Sequence, residues 1–252
     1  MAKKKKSNAE NSEDMPAKHQ ATYLIEEENK NLKYNITLKC KTKKQKDLVK
    51  AIKENKIVLV EGVFGVGKTF VINSVALQML KKDAKIKKII LIVPTVETGD
   101  MHLGLRPGDL NQKLEGHCVN EIDSLIKILD KSNNVKPVNI VNDLIKDGYL
   151  EVRPISYLRG ASLEDAFICV SEAEEFTREE LFLIISRYES GKMVISGDPL
   201  QSSRKIVKDG NSGLLHGIRK LKDIEGVGII KFEDEDIVRN DILLDIYHKW
   251  KD

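Results

Sequence analysis

Apolar residues follow two rhythms along this chain. Short, almost unbroken apolar runs recur at residues 57–61 (IVLVE), 88–93 (KIILIV), 150–153 (LEVR), 166–170 (AFICV), 192–196 (KMVIS) and 227–231 (VGIIK). A strand with one wet face alternates apolar and polar positions, so these runs predict strands covered on both faces. Between most of them the apolar positions return every three or four residues, which predicts helices over 46–54, 68–82, 120–131, 138–146, 178–187 and 213–222. A last amphipathic helix is predicted over 237–250.

Local signals agree with these limits. Thr177 followed three residues later by Glu180 is a capping-box pattern, and Gly148 stands just past a helix end. Strands and helices in alternation predict an α/β fold, a doubly wound and mostly parallel sheet with helices on both faces. Residues 1–35 break the pattern. They are polar, open with Lys3, Lys4, Lys5 and Lys6, carry Glu26, Glu27 and Glu28, and have little to bury, so a disordered arm is expected before a single domain over 36–252. The lysine run reads as a solvating tail, with an arm for nucleic-acid phosphates as the alternative.

Composition removes several function classes. In 252 residues no apolar run approaches the roughly 18 that a membrane span needs, and the basic start has no apolar segment behind it as a secretory signal would. A cytoplasmic protein with no membrane partner is expected. Cys40, Cys118 and Cys169 are odd in number, far apart and without a CxxC pair, which reads as buried free thiols. The five histidines never fall at i and i+4 and there is no GxSxG, so no zinc-protease or serine-hydrolase signature is present. The 42 basic and 39 acidic residues leave a net charge of +3, which does not by itself declare a nucleic-acid binder. Only eight of the 42 are arginine, so each arginine is a candidate for a placed, forked donor.

One stretch carries chemistry outright. GVFGVGKT, Gly62, Val63, Phe64, Gly65, Val66, Gly67, Lys68 and Thr69, fits G-x-x-x-x-G-K-[ST], and Phe70 follows it into the helix. The motif leaves a predicted strand and opens a predicted helix, the arrangement in which free backbone N–H groups and the helix dipole face an anion. Glycines leave those amides free to curl round a β-phosphate, Lys68 would reach the β and γ oxygens, and the Thr69 hydroxyl would bind Mg²⁺.

Such a site also needs carboxylates at the end of a neighbouring strand. The run ending at Val170 is followed by SEAEE, with Ser171 where the magnesium-binding aspartate usually stands. Glu172 is then the candidate to orient or deprotonate water and to contribute to the metal site, while Glu174 and Glu175 read as facing solvent. The next strand ends in GDPLQ, and Asp198 and Gln201 would lie beside the γ-phosphate if that strand neighbours the one before the P-loop.

Read in order, TKKQ (42–45), GVFGVGKT (62–69), PTVETGD (94–100), LGLRPGDL (103–110), YLRGASLEDAFICVSEAEEFT (157–177), SRYESGKMVISGDPLQ (186–201), SGL (212–214) and DIVRN (236–240) resemble the PhoH family of P-loop ATPases, relatives of superfamily 1 helicases. The resemblance covers residues 40–250. It implies a RecA-like core that binds and hydrolyses ATP with Mg²⁺, a hexameric homo-oligomer, and work on RNA or single-stranded nucleic acid. By position, Gln45 would read the adenine and Arg239 would stabilise charge, with Arg159 and Arg187 at other motif positions. An ordinary surface salt bridge is the alternative for each arginine.

Two departures stand out. The family usually writes DEAQN where this chain has SEAEE, and an arginine where Val93 stands. Losing one charged contact to a transferring phosphoryl group can slow chemistry about 10²- to 10³-fold. Hydrolysis is thereby put in question more than binding is, and a nucleotide-gated binding switch becomes the rival reading. A ribonuclease is a further rival, without a recognisable acidic metal cluster of its own. With one P-loop and room for one lobe, the arginine opposite ATP would come from another subunit, which points to a ring with Arg239 acting in trans. Lysine clusters at 39, 41, 43, 44 and 46 and at 81, 82, 85, 87 and 88 offer a path for a phosphate backbone, or simply solvated faces. Aromatic residues are 5% of the chain, so there is no evident base-stacking platform.

Overall fold

The computed structural model describes residues 32–94, 110–238 and 240–251. The lysine run at 3–6, the acidic run at 26–28, most of PTVETGD and LGLRPGDL, and Arg239 lie outside the described residues. Six strands, β1 (Ile57–Glu61), β2 (Lys88–Val93), β3 (Leu150–Pro154), β4 (Ala166–Val170), β5 (Gly191–Gly197) and β6 (Val227–Lys231), form one sheet in the order β3-β2-β4-β5-β1-β6. Every neighbouring pair is parallel, as the unbroken apolar runs require. The fold is α/β, the RecA-like arrangement expected, with helices on both faces.

The helices are α1 (Lys43–Glu54), α2 (Lys68–Lys82), α3 (Leu110–Lys131), α4 (Pro137–Lys146), α5 (Arg178–Ile185), the one-turn α6 (Lys205–Lys208), α7 (Gly213–Leu221) and α8 (Asp241–Lys251). The capping box forms as read, Thr177 accepting from the Glu180 amide and Glu180 from the Thr177 amide. Gly148 takes φ +77 just beyond α4, a left-handed turn that glycine adopts without strain. Several limits differ from the sequence reading, α1 beginning at Lys43 rather than at 46 and α5 ending at Ile185 rather than at 187, and two differ more widely. Helix α3 begins at Leu110 rather than at 120, and α8 begins at Asp241 rather than at 237. The second has a visible cause: Asp234–Asp236 close a 3₁₀ turn, Ile237 is extended, and the Val238 amide donates to the Gly65 carbonyl at 3.1 Å instead of to a helix.

Alternate residues of each strand serve opposite faces. Val58, Val60, Leu91, Phe167, Cys169 and Val194 pack with α1 to α4, whereas Leu59, Ile90, Ile168, Val170, Met193 and Ile195 pack with α5 and α7. Helix α2 lies at the centre of the first layer and is buried almost all round, from Val71 through Leu77. Each such aliphatic side chain removed from water stabilises the fold by about 1.5–3 kcal/mol. The chain is already part of this core at Tyr34, whose hydroxyl donates to the Leu77 carbonyl at 2.9 Å, and burial raises its phenol above the usual value. Asn35 and Thr37 donate backbone N–H groups to Asn134 and Ser132 beyond α3, which stands residues 35–41 up as one wall of the cleft described below. Cys169 is buried, which pushes its thiol up, but Cys40 is only half-buried. The side chain of Cys118 is outside the described set. Among the described residues no helix is long and apolar enough to cross a membrane.

For function the decisive feature is that β5 lies between β1 and β4. The carboxyl ends of the three strands that carry the motifs therefore stand side by side, where open α/β sheets collect ligands.

Candidate functional site

A cleft of about 890 Å³ opens at those strand ends. It is lined by Gln45, Phe64, Gly65, Gly67, Lys68, Thr69 and Phe70 on one side and by Ser171, Glu172, Glu174, Asp198 and Gln201 on the other. Sequence motifs far apart along the chain thus meet in one cavity. Gly62, Val63 and Val66 are buried beneath the loop and shape it from below.

The P-loop half is built by backbone. Gly65 and Gly67 sit at φ +78 and +85, left-handed values that fold the loop back over the start of α2. Gly67 is the N-cap of α2 and no side chain caps that end, so the amides of the first turn face the cleft. Gly62 touches Phe232 so closely that a Cβ would lie 2.7 Å from the phenylalanine Cβ. Lys68 is folded onto its own loop, donating to the carbonyls of Gly62 at 2.6 Å and Val63 at 3.0 Å. Burial pulls its ammonium below the usual lysine value, and the charges of Asp198, Glu174 and Glu172 act in the opposite direction.

Gln45 is buried against this loop. Its Nε2 donates to the Val66 carbonyl at 2.9 Å, and its Oε1 accepts from the Lys41 amide at 2.7 Å. Both ends of the amide therefore brace the P-loop and the 37–41 wall against each other. The opposite rim of the cleft carries Lys127 and Lys131, the latter with its ammonium 5.2 Å from the centre of the Phe70 ring.

The carboxylate half is built by tertiary contacts. Asp198 is buried and turned back on its own loop, accepting from the Leu200 amide at 3.1 Å and from Gln201 Nε2 at 2.9 Å. Glu172 is exposed and sits at φ +52, an uncommon left-handed setting for a non-glycine residue. Glu174 and Glu175, expected to face solvent, are instead buried. The 3₁₀ turn Ala173–Glu175 rolls both side chains inward beneath the end of β5. Glu174 accepts from the Asp198 amide at 3.0 Å and Glu175 from the Ser203 amide and hydroxyl, so together they fix the GDPLQ loop. Burial and then its contact with Glu172 push the Glu174 carboxyl up to about 8.

Two side chains that the sequence reading passed over belong to the same cleft region, Glu121 and its partner Asn73. Glu121 on α3 is buried and lines the cavity, accepting from Asn73 Nδ2 of α2 at 2.7 Å. A signal for it existed: Glu121, Leu125 and Ile128 fall at i, i+4 and i+7, so a carboxylate stands in the apolar stripe of its helix. Arg159 is exposed and Arg187 half-buried, the latter with a buried Nε that has no hydrogen-bond partner among the described residues. Neither makes an ion pair with a described residue. Arg239 lies outside the described residues, and Val238 before it is bonded to the P-loop of its own chain.

A family model described as PhoH-like protein matches residues 37–251. The chain belongs to the PhoH family. It is similar to the PhoH-like protein of Bacillus subtilis (34% identity over 222 residues, 88% of this chain and 66% of that protein) and to the PhoH-like protein of Synechocystis sp. (32% over 207 residues, 82% and 60%). It also resembles Protein PhoH of Escherichia coli K12, at 27% over 197 residues, 76% of this chain and 52% of that protein. The chain thus spans between half and two thirds of the length of these PhoH relatives. Among solved structures, one described as an ATPase domain aligns over 79% of this chain and 76% of its own at 12% identity, with a TM-score of 0.28 that is too low to bear on fold or function. The PhoH match takes in the P-loop, the ends of β4 and β5 and the wall at 37–41, so the cleft lies wholly within the family's shared region.

Proposed function

We propose that this chain binds ATP with Mg²⁺ in the cleft, hydrolyses it, and couples turnover to single-stranded RNA or DNA. The observation that carries the reading is the meeting, in one cavity, of a glycine-shaped amide cradle with Lys68 and of Glu172, Asp198 and Gln201 at the adjacent strand ends.

The cradle amides and Lys68 take the phosphates, Lys68 exchanging its two loop carbonyls for phosphate oxygens. Gln45 reads the adenine from the base of the 37–41 wall. Among the described residues no three His, Cys, Asp or Glu side chains are grouped to hold a metal alone. An Mg²⁺ ion arriving with the nucleotide would be held by the Thr69 hydroxyl and Glu172. When bound, Mg²⁺ neutralises charge on the phosphates. Glu172, exposed at the cleft mouth, orients the attacking water and accepts its proton, while Asp198 holds Gln201 where it meets the γ-phosphate. Arg239 supplies the remaining positive charge, in a hexameric ring from a neighbouring subunit. Lys39, Lys41, Lys43 and Lys46 are exposed beside the cleft and form the surface for a strand; in the second cluster Lys87 and Lys88 are already paired with Asp165 and Glu151.

The test is Mg²⁺-dependent ATP hydrolysis with and without single-stranded RNA or DNA, with Lys68→Ala as the blank. Turnover above the blank, raised by the strand and falling as salt rises, is the expected result. Tight ATP binding with no turnover would instead favour the switch reading, for which the uncharged Ser171 is the specific observation. Arg239→Ala should abolish turnover and spare binding; normal turnover in that variant removes Arg239 from the site.

A further inference from the structure

P-loop NTPases hold magnesium between the hydroxyl after the P-loop lysine and a carboxylate at the end of a neighbouring strand. Here that strand end is Ser171, buried and without charge. Of the carboxylates lining the cleft, Asp198 is committed to its own turn, Glu174 to the Asp198 amide, and Glu172 is exposed at the mouth. Glu121 is different in origin. It arrives from α3, with its side chain buried, its carboxylate accepting from Asn73, and lines the cleft together with Ser171.

Those two residues locate it. Asn73 follows Thr69 by four residues on α2, so the two side chains share one face of that helix a turn apart. Ser171 is the strand end itself, its amide bonded to the Ile92 carbonyl of β2. The Glu121 carboxylate is therefore held between the helix that carries Thr69 and the position where a strand carboxylate is missing. A charge in an apolar helix face is costly: burial raises the Glu121 carboxyl above the usual value, and Leu125 and Ile128, next on the same face, are ordinary core. Packing alone would be better served by another aliphatic residue.

We propose that Glu121, aligned by Asn73 and lining the same cleft as Ser171, supplies from α3 the negative charge that the end of β4 lacks at the cation side of the cleft. The inference rests on the reading of the cleft as a site for Mg²⁺ and ATP. A carboxylate on a longer side chain and a different element replaces one on the strand, in the cleft that the small, uncharged serine also lines.

The experiment measures Mn²⁺ affinity by electron paramagnetic resonance in the presence of a non-hydrolysable ATP analogue, beside analogue affinity without metal. Glu121→Gln keeps the size and the Asn73 contact but removes the charge. It should weaken Mn²⁺ binding about ten-fold or more while metal-free analogue affinity stays within about two-fold. Adding Ser171→Asp to that variant should restore Mn²⁺ affinity. Unchanged Mn²⁺ affinity in Glu121→Gln, with analogue still bound, overturns the proposal and leaves Glu121 a core hydrogen-bond partner. If Glu121→Gln does not fold, Ser171→Asp alone decides: no gain in Mn²⁺ affinity is expected when Glu121 already fills the role, and a gain of about ten-fold would show a vacant charge and overturn it. A wild-type protein that binds no analogue at all refutes the nucleotide reading itself, a result distinct from these.

Discussion

The two halves of the cleft are made by different means. The P-loop half is one contiguous stretch, GVFGVGKT, and its parts are backbone: amides at the start of α2, two left-handed glycines, and loop carbonyls that hold Lys68. The carboxylate half draws Glu121, Ser171, Glu172, Glu174 and Asp198 from α3 and from the ends of β4 and β5, and apart from the exposed Glu172 its parts are buried side chains held by hydrogen bonds between distant elements. Backbone donors cannot be exchanged by substitution, so a cradle of this kind must keep its spacing. Side-chain donors can be moved from one element to another provided the charge arrives at the same place. The half that departs from the family pattern, with SEAEE in place of DEAQN, is the half in which such departures can be absorbed.

That contrast can be broken at several points. The largest effect is expected from Lys68→Ala, which should remove turnover by at least about 10²- to 10³-fold and weaken nucleotide binding with little change in melting temperature, since the lysine bonds only its own loop. Retained turnover would mean that the cradle is not the phosphate site. Glu172→Gln should slow hydrolysis about 10²- to 10⁴-fold and leave binding intact, because the side chain is exposed at the cleft mouth and an amide of the same size can keep its contact with Glu174. A matched loss of binding would show instead that Glu172 helps to shape the pocket.

Smaller effects test the frame rather than the chemistry. Gly62→Ala places a Cβ 2.7 Å from the Phe232 Cβ, where neither backbone nor ring base can yield easily, and should cost about 1–3 kcal/mol of stability in thermal or urea unfolding. The smallest effect concerns Glu174. Its carboxyl is pushed up to about 8 in the fold against about 4.3 in the unfolded chain, so the native state holds an extra proton between those values. Stability contributed by this group is therefore full below about pH 4 and is lost as pH rises toward 8. Glu174→Gln should unfold much like wild type at about pH 5 and be relatively more stable at about pH 8. Equal pH profiles for the two proteins would show that the glutamate is ionised throughout.

The chain's hydrophobic rhythm was enough to determine all six strands to within a residue or two, the alternation of helices and the parallel sheet, because burial on two faces leaves a mark at every position. The P-loop was legible for a related reason: its conformation depends on glycine backbone and a fixed spacing, both of which are written locally. The tertiary structure alone decided the rest. Only the insertion of β5 between β1 and β4 brings Asp198 beside the P-loop, and only the 3₁₀ turn after Glu172 buries Glu174 and Glu175 that composition assigned to solvent. Glu121 stands far before Ser171 in the chain, on a helix whose pattern marks that position as core, and no local rule joins the two. Their meeting in one cleft is set by how α3 lies against α2 over the sheet, which is a property of packing rather than of sequence spacing.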